Sequence, residues 1–380
     1  MKRKILFLIE SLSGGGAEKV LTTLIESINK DKFDITVCSI AGGGKYEEQI
    51  KKHVKYKSLL NAPISKNNIN ITLFKLKHHL IYKWLPLSLV YRFFIPKGND
   101  IEIAYIEGFT TKLLSESTNK KAKKYAWVHC NIQIDHWTKK VYKNETQESD
   151  CYKKYNKIIA VAQSVEEAIK NTFPENAHKV ETIYNPIDEQ AILNLGKERI
   201  EYPKKDDKIR LVTVGRIVSQ KGYDRLVRII KRLKEDGFNH ELWIIGTGTQ
   251  INKIKQFITN NSLEEYIKLL GFQSNPYKYL SKGDLFVCSS RSEGYSTAVT
   301  EALILGLPIV TTDCSGMKEL LKNGECGIIT PNDEDSLYLG IKKILSNKNL
   351  LDYYKIKSEE RGKDFSVKKL ITPIEELLLL

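Results

Sequence analysis

Two carboxylates, Glu293 and Glu301, bracket a change from loop to helix. Leu285–Ser289 reads as a strand, Ser290–Tyr295 as a loop and Ser296–Leu305 as a helix. Ser296 suits an amino-terminal cap, Gly306 a carboxyl-terminal cap, and Pro308 stands just beyond. At the carboxyl end of a parallel strand, such a loop faces the crevice where open α/β sheets bind ligands. The unpaired N–H groups of the helix start suit a diphosphate. Glu301, a turn inside, can accept two hydrogen bonds from a ribose diol. The same spacing also fits two acids that merely cap or face solvent. Two glycine turns join this set. Ser13-Gly14-Gly15-Gly16 opens a helix over Ala17–Ile28, and Gly246-Thr247-Gly248 ends a strand. Each is either a phosphate cradle or a plain tight turn. Neither completes G-x-G-x-x-G, because Lys19 and Ile251 stand where the third glycine belongs, and no ribose-binding acid follows Ile40-Ala41. The P-loop pattern is absent, which argues against a kinase or ATPase. The one D-x-D, Asp333-Glu334-Asp335, reads as a helix start stabilised by its acids, so no metal site is expected.

Short β-rich runs alternate with helical patterns throughout, which predicts parallel sheets flanked by helices. Lys4–Ile9, Asp34–Ile40 and Ile101–Ile106 read as buried strands of one half. Ile209–Val214, Glu241–Ile245, Leu285–Cys288 and Ile309–Thr312 read so in the other. The chain has 380 residues, which suits two domains better than one core. Asn185-Pro186 followed by the polar stretch Glu198–Lys208 marks the break. The expected division is 1–186, 187–362 and a C-terminal helix, 363–380, packing back on the first domain. The fold class is α/β, with two Rossmann-like, doubly wound domains.

With 41% hydrophobic and 28% charged residues, the chain is neither disordered nor polytopic. Ile5–Ile9 is too short for the apolar core of a signal peptide and reads as a buried first strand. The six cysteines show no C-x-x-C pair and fit a reducing cytosol better than a disulfide framework or a zinc site. The net charge of +14 is uneven. Between Glu48 and Asp100 stand ten Lys or Arg residues (51, 52, 55, 57, 66, 75, 77, 83, 92, 97) and no acid. Phe74, Tyr82, Trp84, Tyr91, Phe93 and Phe94 interleave with them. Such a segment suits an anionic membrane surface, or is a solvated lysine-rich face. Nucleic acid is the weakest reading, since no recognition motif for it appears.

Glu293-Gly-Tyr-Ser-Thr-Ala-Val-Thr-Glu301, followed by Gly306-Leu-Pro-Ile-Val, resembles the E-x7-E signature of retaining family 4 (group 1) glycosyltransferases of the GT-B fold. Val214-Gly215-Arg216 with Lys221-Gly222 resembles that family's phosphate-binding Arg/Lys pair. Ile245-Gly246-Thr-Gly248 resembles its Gly-x-Gly turn, and Leu270-Gly271-Phe272 the loop beside the base. Tyr184-Asn185-Pro186-Ile187-Asp188 resembles the interdomain Asn-x-x-Asp segment. Gly14–Gly16 is similar to the family's glycine loop, and Trp127-Val128-His129 to its histidine segment. The likeness spans nearly the whole chain and is weakest between Glu48 and Asp100. Ser296-Thr297 departs from the small or apolar residues common there, which bears on the donor sugar.

The resemblance implies an acceptor-binding first domain and a nucleotide-sugar-binding second domain across a cleft. Arg216 and Lys221 would hold the diphosphate, with backbone N–H groups of Gly15, Gly16 and Gly294–Thr297. Gly215, Gly246, Phe272, Tyr295, Ser296 and Thr297 would shape the donor site. Glu301 would hold the ribose, Glu293 the sugar hydroxyls and His129 the sugar near its reacting carbon. The reaction implied is a front-side displacement in which the leaving phosphate takes the acceptor proton, without metal or cofactor. The donor would be a UDP-linked hexose or N-acetylhexosamine and the acceptor a surface polysaccharide or lipid-linked glycan. The expected place is the cytoplasm, peripherally at the membrane. Two alternatives are a GT-B UDP-sugar epimerase and a non-catalytic partner subunit. The retention of Arg216, Lys221, Glu293 and Glu301 speaks against the second.

Overall fold

The structure is a computed structural model that describes residues 2–62, 68–200 and 208–380. Lys66 of the basic window and residues 201–207 of the polar stretch lie outside the described residues. The chain divides into two units, one of Met1–Ile187 with Val367–Leu380 and one of Asp188–Ser366.

The described residues of the first unit form a seven-stranded parallel sheet. Its strands are β1 (Arg3–Ile9), β2 (Phe33–Ala41), β3 (Lys55–Leu60), β4 (Ile101–Ala104), β5 (Lys123–Val128), β6 (Lys157–Ala160) and β7 (Val180–Thr182). The order across the sheet is β3-β2-β1-β4-β5-β6-β7. Ile5 to Ile9 are all fully buried, as expected of a strand covered on both faces. The helix Gly16–Ser27 follows and buries Val20, Leu21, Leu24 and Ile25. The strand β3 lies inside the acid-free window, where the sequence shows only charge. It survives as an edge, its Lys55 and Lys57 exposed, a placement that also deters edge-to-edge pairing.

The described residues of the second unit form a six-stranded parallel sheet. It consists of β8 (Ile209–Val214), β9 (His240–Ile245), β10 (Ile267–Gly271), β11 (Leu285–Cys288), β12 (Ile309–Thr312) and β13 (Ile328–Thr330), in the order β10-β9-β8-β11-β12-β13. Leu270 and Gly271, expected in a loop, end the edge strand β10, and the loop begins only at Phe272.

Each sheet reverses its winding once, between β1 and β4 in the first and between β8 and β11 in the second. At such a point the two outgoing loops diverge to opposite faces and leave a crevice at the carboxyl ends of the strands.

The carboxyl-terminal helix starts at Val367, four residues later than expected. The preceding helix, Lys348–Gly362, runs on to Gly362. There a side chain would strike the Leu303 carbonyl, at 2.5 Å from its Cβ. In the basic window Pro86 ends one helical run and caps the next: Asn68–His79 continues into a π turn at Leu80–Trp84, and Leu87–Phe94 follows.

Candidate active site

In the second unit, the two loops at the winding reversal carry the predicted residues. The loop after β8 bears Gly215 and Arg216 and ends in a short turn, Ser219–Lys221. The loop after β11 bears Glu293 and leads into the helix Thr297–Ile304. They are laced together by Arg291 N–H to Gln220 carbonyl (2.7 Å), Gln220 Nε2 to Ser292 carbonyl (3.1 Å) and Ser289 Oγ to Lys221 carbonyl (2.9 Å). Gly222 is required at this crossing. Its φ is +66°, and a Cβ would lie 2.0 Å from the Ser289 carbonyl oxygen.

Lys221 and Glu293, read separately from the sequence, form an ion pair with Nζ 2.6 Å from Oε1. Burial pulls the Lys221 ammonium down in pKa, but Glu293 opposes this and the net shift is upward, so the cation persists at neutral pH. Arg216 is exposed and makes no ion pair among the described residues. Ser296 caps its helix, its hydroxyl accepting from Val299 N–H at 3.4 Å. Glu301 is buried within that helix, and Gly294 is buried beside Glu293. Tyr295 and Thr297 are half-buried, whereas Phe272 stands exposed after β10.

The Gly246-Thr-Gly248 turn has a packing reason of its own. A Cβ on Gly246 would lie 1.9 Å from the Gly215 carbonyl oxygen, and one on Gly248 2.4 Å from that of Ile217. These glycines, with Gly215, let the loops after β8 and β9 touch backbone to backbone. The D-x-D is fully engaged as a helix start. Asp333 accepts from Ser336 N–H (2.7 Å), Glu334 pairs with Arg228 (2.7 Å) and Asp335 with Arg232 (2.6 Å).

In the first unit, Gly15 caps the helix that Gly16 begins, and Gly14 takes a φ of +119°. A second glycine run, Gly42–Gly44, packs on this loop, with a Gly44 Cβ position 2.3 Å from the Leu12 carbonyl oxygen. Three consecutive glycines after a strand are a readable signal that the sequence analysis passed over. His129 follows β5. Its backbone N–H donates to Glu107 Oε2 (2.8 Å), and Trp137 Nε1 donates to Glu107 Oε1 (3.1 Å). His129 Nε2 is closed to solvent and has no hydrogen-bond partner among the described residues. Burial holds the imidazole below its ordinary pKa, with Glu107 opposing. A neutral ring with an unpartnered nitrogen keeps capacity for one more hydrogen bond. Glu107 was also missed, although an acid followed by glycine just past a buried strand was there to be read.

Cation, carboxylate and helix start at a winding reversal are groups suited to an anionic, hydroxyl-bearing ligand. Residues 196–361 match the family model of the glycosyl transferases group 1. The chain carries that group's domain and has the GT-B fold, and it is a glycosyltransferase. Among relatives, it is 28% identical over 99% of its length to the whole of a Campylobacter jejuni protein. That protein is named N-acetylgalactosamine-N,N'-diacetylbacillosaminyl-diphospho-undecaprenol 4-alpha-N-acetylgalactosaminyltransferase. It is 22% identical to the lipopolysaccharide 1,6-galactosyltransferase of Salmonella typhimurium, over 90% of each chain. In fold it is similar to HepE of Anabaena crystallised with UDP, with a TM-score of 0.76 and 18% identity over 100% and 99% of the two chains.

Proposed function

We propose that the chain transfers a hexose or N-acetylhexosamine from a UDP-sugar to a lipid-linked or polysaccharide glycan, with retention of configuration and without a metal. The observation that carries this reading is the Lys221–Glu293 pair at the β8/β11 reversal, beside the capped helix start. The names of the Campylobacter and Salmonella relatives support the acceptor class. As the bond from the sugar's anomeric carbon to the diphosphate oxygen breaks, negative charge grows on that oxygen. Lys221, Arg216 and the N–H groups before Val299 are cations and dipoles suited to stabilise it. The acceptor hydroxyl adds to the anomeric carbon on the face the phosphate leaves, and its proton passes to the leaving phosphate oxygen. Glu293 holds sugar hydroxyls and Glu301 the ribose.

The test is transfer from UDP-N-acetylgalactosamine to a diphospho-undecaprenol glycan, followed by proton NMR of the product's anomeric signal. The donor's anomeric configuration should persist in the product, and the rate should be unchanged in excess EDTA. An inverted product, or activity that EDTA abolishes and Mg²⁺ restores, overturns the corresponding part. Release of an epimerised UDP-sugar without transfer would favour the epimerase alternative.

We further propose that the first unit rests on an anionic membrane surface at the cytoplasmic face. No helix of the described residues is long and apolar enough to cross a membrane. Trp84 is 74% exposed and Phe93 70%, with Leu76 and Leu80 also bare. Lys75, Lys77, Lys83 and Arg92 are exposed among them. The segment is anchored from beneath: Tyr82 donates to Glu10 (2.6 Å) and stacks on Phe109, and Tyr91 donates to the buried Glu102 (2.5 Å). Basic groups near an anionic leaflet contribute about 1 kcal/mol each, and the aromatic tips suit the headgroup level. Co-sedimentation with phosphatidylglycerol vesicles should fall with salt. It should fall further when Lys75, Lys77, Lys83 and Arg92 become Ser. Equal recovery on phosphatidylcholine would reduce this face to an ordinary solvated surface.

A further inference from the structure

Glu293 does not set its own geometry. Its Oε1 accepts from Lys221 Nζ at 2.6 Å and from Ser290 Oγ at 2.5 Å, while Oε2 makes no hydrogen bond among the described residues. Ser290, 2% exposed, is held from two sides. Its carbonyl accepts from Arg225 Nη2 (2.7 Å), Thr312 Oγ1 (2.6 Å) and Cys314 Sγ (3.1 Å), and its hydroxyl accepts from Cys288 Sγ (3.6 Å). Because that thiol supplies the hydroxyl's incoming hydrogen, the Ser290 proton is directed to Glu293. Arg225 is itself buried, and the hydrogen bonds of its guanidinium go to carbonyl-type oxygens. Nε and Nη2 reach the Ser289 carbonyl (2.9 and 2.7 Å), and Nη2 reaches Asn332 Oδ1 (2.8 Å). The fork thus clamps Ser289 and Ser290 to Asn332, which lies in the loop after β13. One oxygen of Glu293 is locked and the other presented.

We infer that Ser290, clamped by Arg225, is a positioning residue that locks Glu293 Oε1 so that Oε2 meets the donor sugar. This rests on the reading above that Glu293 holds the sugar. Neither Ser290 nor Arg225 is placed against the substrate. Their effect runs through Glu293 and falls on the sugar, not on the nucleotide.

The experiment is calorimetric titration of the full chain with UDP and with UDP-N-acetylgalactosamine. It compares wild type, Ser290→Ala, Glu293→Gln and the double variant, with melting temperature monitored throughout. Ser290→Ala should leave UDP affinity unchanged and weaken sugar-nucleotide affinity roughly tenfold, the scale of one hydrogen bond to a charged group. The double variant should lose no more than Glu293→Gln alone, since the two act as one unit. Arg225→Lys keeps the charge but removes the fork. It should shift the same ratio, and it decides the matter should Ser290→Ala fail to fold. Equal weakening of both ligands by Ser290→Ala, or losses that add in the double variant, overturns the positioning role while leaving the Glu293 reading intact. An unchanged ratio in Glu293→Gln overturns the Glu293 reading, and this inference with it.

Discussion

Lys221→Ala is expected to lower kcat for sugar transfer by about 10²–10³-fold, the scale of removing one preorganised donor from a developing oxyanion. The side chain is 20% exposed, so its charge acts with little solvent between it and the leaving phosphate. Glu293 keeps it protonated against the pull of burial. Its contact strengthens as the phosphate charge grows, so kcat and kcat/KM should fall together. Arginine should not restore the rate. The planar guanidinium fork does not reproduce the compact point contact of the ammonium with Glu293 Oε1. Arg216→Ala should cost less, because solvent already screens an exposed cation. Steady-state kinetics beside circular dichroism checks this, and a folded Lys221→Ala variant within threefold of the native kcat would refute the assignment.

Glu241→Ala is expected to lower the stability of the second unit by about 3–5 kcal/mol while leaving UDP affinity unchanged below the unfolding transition. Arg210 and Glu241 are paired across β8 and β9, near their amino-terminal ends and away from the donor loops. Arg210 is 1% exposed, its Nε lies 2.6 Å from Glu241 Oε1, and its guanidinium stacks 3.8 Å from the Trp243 ring. Removing the carboxylate leaves a buried cation whose attraction no longer offsets its lost hydration. Replacing both by apolar residues, Arg210→Met with Glu241→Leu, should recover most of the loss. Urea unfolding is the measurement. The surface pair Lys55–Asp34 serves as control, where Lys55→Ala should cost under about 1 kcal/mol. A Glu241→Ala loss no larger than that control would mean the pair is hydrated.

Local rules made much of this protein legible before any coordinates. A continuous apolar run such as Ile5–Ile9 has nowhere to go but a sheet covered on both faces. Ser296 and Asp333 each sit where a helix start needs an acceptor, and Gly306 takes the left-handed turn, with φ +71°, at a helix end. These depend on neighbours within a few residues, so the chain order states them. The short strands β6, β10 and β13 and the lysine-bearing edge β3 were weaker signals, since three to six residues carry little periodicity. Their pairing partners, distant in the chain, decide them.

What the linear order could not state is which loops meet. Lys221 and Glu293 are brought to 2.6 Å because β8 and β11 are neighbours at a reversal of winding, and that order follows from how right-handed crossovers pack. The same closure puts the Gly215 carbonyl against Gly246, which gives that glycine turn a packing role. It also delivers Arg225, one turn past Lys221, to the carbonyls of Ser289 and Ser290. Residue type and local spacing by themselves determined most of the elements, their caps and the two acids that suit a sugar nucleotide, while the cations Arg216 and Lys221 were singled out by the likeness to the family. Only the tertiary structure decided which charge pairs with which and which oxygen of Glu293 stays open, because those depend on distances that close across the sheet, between residues tens of positions apart.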